Sequence, residues 1–294
     1  MIAIEPLGRA AAIDPRFPAD GLSDADVGLW WLGQAGFALR HGGTLVLIDP
    51  CLSDSLAEKY RGTLFPHERM VPVPVAPEAI SGVDAVLCTH GHTDHMDPWT
   101  IRALLRRNRP TFVVPRAERA KAIERNVPPD LLVGTNAGER VELADALVVE
   151  SIPSAHEELS VDDTGDHRFL GYIVTIGGVR LYHSGDCAPY AGQAELLAGR
   201  GIDLALLPIN GRDAYRLANG VPGNFTADEA LDLCEAAGIP LLVGMHWGLF
   251  DFNTVDPEAA ARTLGRRSPV VRWVLPEIGV RYRLRPDKLE GDER

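Results

Sequence analysis

Lysine is almost missing from this 294-residue chain: it stands only at 59, 121 and 288, and arginine supplies the rest of the positive charge. The formal net charge is −12, from 41 acidic residues against 29 basic ones. A partner held by its phosphate backbone needs cationic surface and counterion release, so this balance argues against nucleic acid. The basic clusters RALLRRNR and LGRRSP read as solvated helix faces. Cysteine is scarce as well. Cys51, Cys88, Cys187 and Cys234 lie far apart with no C-x-x-C spacing, which speaks against a disulfide framework and a thiolate zinc site and leaves ordinary reduced thiols. No apolar run approaches the ~18 residues of a membrane helix. The opening MIAIEPLGRAAAIDP places Glu5 where a secretion signal is apolar or basic. No membrane partner is expected, and the expected location is the cytoplasm.

What the chain does have is the composition of a folded, water-soluble protein, 46% hydrophobic and 24% charged. Residues 1–27, rich in Pro, Ala and Asp without clear periodicity, read as an irregular arm. LWWL, GFALR and TLVLIDP then read as short strands opening a sheet as a meander. Proline punctuation in PHERMVPVPVAPEA predicts an extended excursion up to about residue 80. Strand-like and helical runs alternate after that: DAVLCT, PWTIRALLRR, TFVV and RAERAKAIER. ALVVESIP, LGYIVTI and VRLYHSG restore strands, the last two joined by Gly-Gly as a hairpin. TADEALDLCEAAG carries a capping box, Thr226 with Glu229, and a stop at Gly238. The pattern predicts an α/β (α+β) chain in which two mixed sheets pack face to face with helices outside, forming one domain over 1–294.

One short stretch, DAVLCTHGHTDHMDPW, crowds ligand-type side chains into a turn. The strand ends near Thr89, and Asp97 with Pro98 predicts the N-cap and first turn of the next helix. His90, His92, Asp94 and His95 therefore sit on a strand-to-helix loop. Imidazole and carboxylate are ligands for borderline divalent metals, and a helix N-terminus nearby favours the ionised carboxylate. Crowded ligand groups with nothing to hold would repel or go unpaired, so the loop reads as a metal site. Distant ligands are expected at other strand ends: His156 in PSAHEE, Asp186 closing LYHSGD, and His246 closing LLVGMH.

The ordered series H-x-H-x-D-H, later His, later Asp and final His resembles that of the metallo-β-lactamase-fold hydrolases. More narrowly, WWLGQAGFAL, LIDPCLSDS, LGYIVTIGGVRLYHSGD, LLPINGRD and GNFTADEA look like the branch that contains L-ascorbate-6-phosphate lactonase. The resemblance covers about residues 28 to 283 and implies an αββα sandwich with one or two metal ions, Mn²⁺ or Zn²⁺. It implies that His90, His92 and His156 hold the first ion, that Asp94, His95 and His246 hold the second, and that Asp186 bridges them. It further suggests a homo-oligomer, since relatives commonly assemble symmetrically.

The chemistry expected of such a site is hydrolysis by a metal-bound hydroxide, with Asp94 orienting the water and shuttling its proton. A nucleophilic serine is not needed, and Ser184 lacks the G-x-S-x-G elbow. Asn210 and Arg212 in PINGRD are candidates to read a small anionic substrate, because an arginine fork matches phosphate or carboxylate. The alternative for Arg212 is a salt bridge to Asp213 or Asp203. Gln34 in GQAG is a candidate to line the same mouth, against a plain hairpin turn. Trp30, Trp31 and Trp247 read as packing residues. The leading expectation is a metal-dependent hydrolase of a small anionic lactone or ester. A phosphodiesterase of the same fold, or a non-catalytic metal-binding or regulatory protein, is the alternative.

Overall fold

VGLWWLG has no polar side chain and TLVLI none after Thr44, the pattern of a strand covered on both faces. The computed structural model, which describes residues 2–144, 147–267 and 270–286, bears this out. In chain order the first strands are β1 (Ile2–Arg9), β2 (Val27–Gly33), β3 (Gly36–His41), β4 (Thr44–Ile48), β5 (Ala85–Leu87), β6 (Thr111–Pro115) and β7 (Leu132–Thr135). They are followed by β8 (Arg140–Ala144), β9 (Leu147–Pro153), β10 (Leu170–Ile176), β11 (Val179–His183), β12 (Leu204–Pro208), β13 (Leu241–Met245), β14 (Arg272–Val274) and β15 (Val280–Pro286). The helices are α1 (Ser55–Lys59), α2 (Pro98–Leu104), α3 (Arg119–Glu124), α4 (Gln193–Leu197), α5 (Ala214–Ala218), α6 (Ala227–Ala237) and α7 (Pro257–Gly265). None of the described helices is long and apolar enough to cross a membrane.

Two mixed sheets result, ordered β1-β15-β2-β3-β4-β5-β6-β7 and β14-β13-β12-β11-β10-β9-β8. Within each, one block of strands is parallel: β4 to β7 in the first, β11 to β14 in the second. The two-residue period sorts side chains between layers. In β4, Val46 and Ile48 join the core between the sheets, where they share a cluster with Tyr172, Leu181 and Val243. Leu45 and Leu47 face the other way and pack with Ile101 and Leu104 of α2. The second sheet repeats the arrangement, with Ala205, Leu207 and Leu242 against Leu231 of α6 and Leu264 of α7. The three clusters are the αββα sandwich expected from the sequence. The tryptophans pack as expected: Trp30 meets Phe17 edge-on at 5.4 Å, and Trp31 lies 4.7 Å from Trp247.

Two local expectations need correction. Residues 2–9 are not an irregular arm but the edge strand β1, antiparallel to β15. Pro6 and Gly8 disguise it, because they sit where the register shifts, at a bulge of an edge strand, one of the few places a sheet tolerates proline. The helix read over RAERAKAIER divides into a 3₁₀ turn at Arg116–Glu118 and α3. The single-domain reading of 1–294 includes residues 1, 145–146, 268–269 and 287–294, which lie outside the described residues. The capping box of Thr226 and Glu229 and the left-handed Gly238 at the end of α6 are present as expected.

Candidate metal centre

Every ligand-type side chain of interest follows the C-terminal end of a strand. His90, His92, Asp94 and His95 fill the loop between β5 and α2, while His156 follows β9, Asp186 follows β11 and His246 follows β13. Loops at the carboxyl ends of parallel strands emerge on one edge, which is where open α/β sheets place ligands. α2 begins as its sequence predicts, with the Asp97 carboxylate accepting from the Trp99 N–H and Pro98 at the first helical position. The same carboxylate accepts from the hydroxyls of Ser53 and Ser55 at 2.6 and 2.7 Å, which anchors the histidine loop to the start of α1 and the residues just before it.

Two convergent groups form. His90, His92 and His156 each offer a nitrogen, with the three atoms within 4.8 Å of one another, and Asp94, His95, Asp186 and His246 form a second set equally close. Asp186 stands between them. Its Oδ2 lies 3.5 Å from His156 Nε2, and its Oδ1 lies 3.1 Å from the Nε2 atoms of both His95 and His246. Asp94 Oδ2 is 3.6 Å from His95 Nε2 and 3.9 Å from His246 Nε2.

These residues fit a divalent ion on their own chemistry. Among the described residues, His90 Nε2, His95 Nε2 and Asp186 Oδ1 are buried with no partner in hydrogen-bond geometry, the 3.1 Å contacts of Asp186 Oδ1 included. Buried polar atoms in folded proteins almost always have one, and convergent imidazole and carboxylate lone pairs find it in a cation. Burial pushes His90 well below its ordinary value and lowers His92 to about 4, so both rings are neutral, as ligands must be. Burial works against the charge on Asp186, but His246 and His95 beside it outweigh that and hold its carboxyl well below the usual range.

Several supporting residues carry little signal in the sequence. Asp49, just past β4, is fully buried, and its Oδ2 lies 2.7 Å from His95 Nδ1. It also accepts from the Thr89 N–H at 2.8 Å and the Thr89 hydroxyl at 2.6 Å. A strand ending in Ile-Asp-Pro is the one signal available for it. Phe169 packs against His90, His92 and His156 with ring centroids 5.1 to 5.9 Å apart, and nothing in its sequence neighbourhood marks it. Gly185 takes φ +63°, and a Cβ there would lie 2.7 Å from Thr89 Oγ1, so glycine alone fits beside Asp186. His246 adopts φ +63°, rare for a residue with a side chain, and its N–H donates to the Gln34 carbonyl at 2.9 Å.

The three substrate candidates fare differently. Gln34 is drawn into the centre itself: its Nε2 lies 3.2 Å from Asp94 Oδ2 and 3.0 Å from His246 Nε2. Asn210 is buried, donating to Asn253 Oδ1 at 2.7 Å and accepting from Asn224 at 3.1 Å, so it fixes Asn253 rather than facing a substrate. Arg212 corrects the expectation of a free fork. Glu229, held at the N-terminus of α6 by the capping box, takes both of its terminal nitrogens at 2.6 Å, and Arg212 lies outside the lining of the cleft. Neither Asp213 nor Asp203 is its partner, since Asp213 pairs with Arg216 and Asp203 accepts from the Arg180 N–H.

A cleft of about 560 Å³ opens over the centre, lined by His92, Asp94, His156 and Asp186. Lys59, Lys121 and Arg125 line it too, so it gathers two of the three lysines of a chain that carries net charge −12. The guanidinium of Arg125 donates to the carbonyls of His92 and Met96 at 3.1 and 2.8 Å and has no carboxylate partner among the described residues. It braces the histidine loop and keeps its charge beside the cleft.

Residues 44–247 match the family described as Beta-lactamase superfamily domain. A "UPF0173 metal-dependent hydrolase" of Myxococcus xanthus is 29% identical over 258 residues, covering 85% of this chain and 80% of its own. A "probable L-ascorbate-6-phosphate lactonase" of Escherichia fergusonii is 24% identical over 288 residues, covering 88% and 77%. Among solved structures, a metallo hydrolase of Ignicoccus hospitalis superposes with a TM-score of 0.63 at 21% identity, over 88% of this chain and 98% of that one.

Proposed function

From the premise that the chain belongs to the beta-lactamase superfamily and is a metal-dependent hydrolase, we propose that it cleaves a small anionic lactone or ester at the His/Asp centre. The observation that carries this reading is Asp186, which turns one carboxylate oxygen to each ligand group. In this reading His90, His92 and His156 would hold one ion and Asp94, His95 and His246 a second, with the Asp186 carboxylate lying between the two groups. Divalent ions there supply Lewis acidity, making water a better acid and a carbonyl a better electrophile. The set has nitrogen and oxygen donors and no thiolate, which suits Mn²⁺ as well as Zn²⁺.

The protein's own groups handle position and protons. Asp94, on the cleft wall, is the group placed to take the proton of the attacking water and return it to the leaving oxygen. Gln34 donates to Asp94 Oδ2 and so fixes the carboxylate while it works. Lys59 and Arg125 favour a substrate with negative charge, whereas Lys121 is already paired with Glu118 and the two carboxylates in the lining, Asp94 and Asp186, belong to the ligand set. The lactonase relative from Escherichia fergusonii brings in the lactone.

Elemental analysis of the purified protein, followed by hydrolysis assays on lactones, carboxylic esters and phosphodiesters after reloading with Mn²⁺ or Zn²⁺, tests the reading. Bound metal with metal-dependent opening of lactones or esters is the expected result. Preference for phosphodiesters would move the reaction to phosphoryl chemistry, and tight metal uptake without any turnover would favour a metal-binding or regulatory protein. A chain that takes up no metal under any loading overturns the assignment of the centre.

A further inference from the structure

Part of the cleft lining is aromatic and belongs to neither ligand set. Tyr60, Phe65, His67 and Phe252 contribute four aromatic rings to it. The rings touch one another: Tyr60 and His67 stack with centroids 4.1 Å apart, Phe65 and Phe252 stack at 4.7 Å, and His67 meets Phe252 edge-on at 4.6 Å. Behind them lies a small buried cluster of its own, Cys51, Leu56, Leu249 and Phe250, against which Tyr60 and Phe252 pack. The surface is therefore built on a foundation.

His67 shows that the arrangement is held against resistance. Its backbone takes φ +54°, a conformation residues with side chains seldom adopt, and such strain persists only where the surroundings over-determine it. Its Nδ1–H donates to the Phe65 carbonyl at 2.6 Å, which fixes the ring within the stack. Burial lowers its pKa, so at neutral pH the ring is uncharged. Leu64, 64% exposed, extends the apolar surface along the lining. Lys59 Nζ sits over the Tyr60 ring, 4.8 Å from its centroid, and sets a positive charge against the wall.

We propose that this wall is the substrate-selecting subsite of the hydrolase, resting on the reading above, and that it takes a flat aromatic ring carried by the anionic ester or lactone. An arene adds offset or edge-to-face contacts to rings already in that geometry, contacts that a small aliphatic group cannot make. Lys59 receives the anionic group at the rim. The site thus selects aromatic acid derivatives over small aliphatic ones.

The test uses metal-loaded protein and two non-hydrolysable anions, 1-naphthylphosphonate and methylphosphonate, titrated calorimetrically, alongside kcat/KM for anionic aryl and alkyl esters with leaving groups of matched acidity. The naphthyl probe is expected to bind about tenfold or more tightly than the methyl one. Phe65→Leu and Phe252→Leu should shrink that advantage, while Phe252→Tyr keeps it. Circular dichroism and melting identify any variant that fails to fold, and the two probes on the unmodified protein decide the matter even then. Equal binding of the two probes, or an undiminished advantage in folded leucine variants, overturns the subsite. Hydrolysis without any aryl preference also overturns it and leaves the hydrolase intact. Ring-selective binding without hydrolysis of any ester would support the subsite and remove the hydrolase reading.

Discussion

Asp49 Oδ2 lies 2.7 Å from Nδ1 of His95, with both side chains fully buried, so the ring is turned to aim its other nitrogen at Asp186. A carboxylate behind a ligating imidazole fixes its tautomer and raises its basicity. Replacing Asp49 with Asn removes the charge while keeping the size. Metal affinity should fall by roughly 10- to 100-fold, measured by chelator competition. Unchanged affinity would show that His95 needs no partner to bind.

Asp94 has two duties in the proposed reaction, holding an ion and moving a proton. Asp94→Asn keeps a ligand oxygen and loses the base. Turnover should drop by about 10²- to 10⁴-fold or more, the usual contribution of a general acid or base. The circular dichroism spectrum should barely change, since the loop stands over cores to which Asp94 does not belong. Near-normal activity would remove Asp94 from the chemistry.

Much of this architecture is legible in the sequence because local and global signals agree. β5, the loop and α2 announce themselves through a buried run, crowded ligands and an Asp-Pro cap, and the structure places them so. What stays hidden depends on contacts far apart in sequence. Asp49 and His95 are 46 residues apart, and only the pairing of β4 with β5 brings them together. Arg212 misleads for a related reason: Glu229 announces itself as half of a capping box, and nothing local says that one carboxylate serves both the cap and the arginine. The aromatic wall joins Tyr60, Phe65 and His67 to Phe252 across most of the chain, and no periodicity records such a meeting.

Gly185 offers a structural test that does not touch a ligand. A methyl group there would press on Thr89, which itself donates to Asp49, and the left-handed φ of +63° penalises any side chain. Gly185→Ala should destabilise the fold by about 1–3 kcal/mol, from strained backbone and overpacking together. Thermal melting measures that loss. Metal content should fall in parallel, since Asp186 is the next residue; a variant that melts normally and binds metal normally would show that the turn relaxes freely.

The last prediction concerns acid. Asp26, fully buried, receives the Arg285 guanidinium through two nitrogens at 2.7 and 2.9 Å and the Ser23 N–H and hydroxyl at 2.8 Å each, which ties the chain before β2 to β15. Arg285 above all, helped by Ser23, holds the carboxyl far below its ordinary value despite burial. The folded state therefore binds this proton more weakly than the unfolded chain does. The stability it contributes is fully present above about pH 4, the ordinary carboxylate range, and is lost as pH falls below it. Asp26→Asn should cost about 1.5–3 kcal/mol at pH 7, the range for hydrogen bonds to charged groups, and should flatten the decline in melting temperature between about pH 4 and pH 2. Melting curves of both proteins across that range decide it. If the variant loses stability with acid as steeply as the parent, this pair does not govern the acid limb, and other buried carboxylates must.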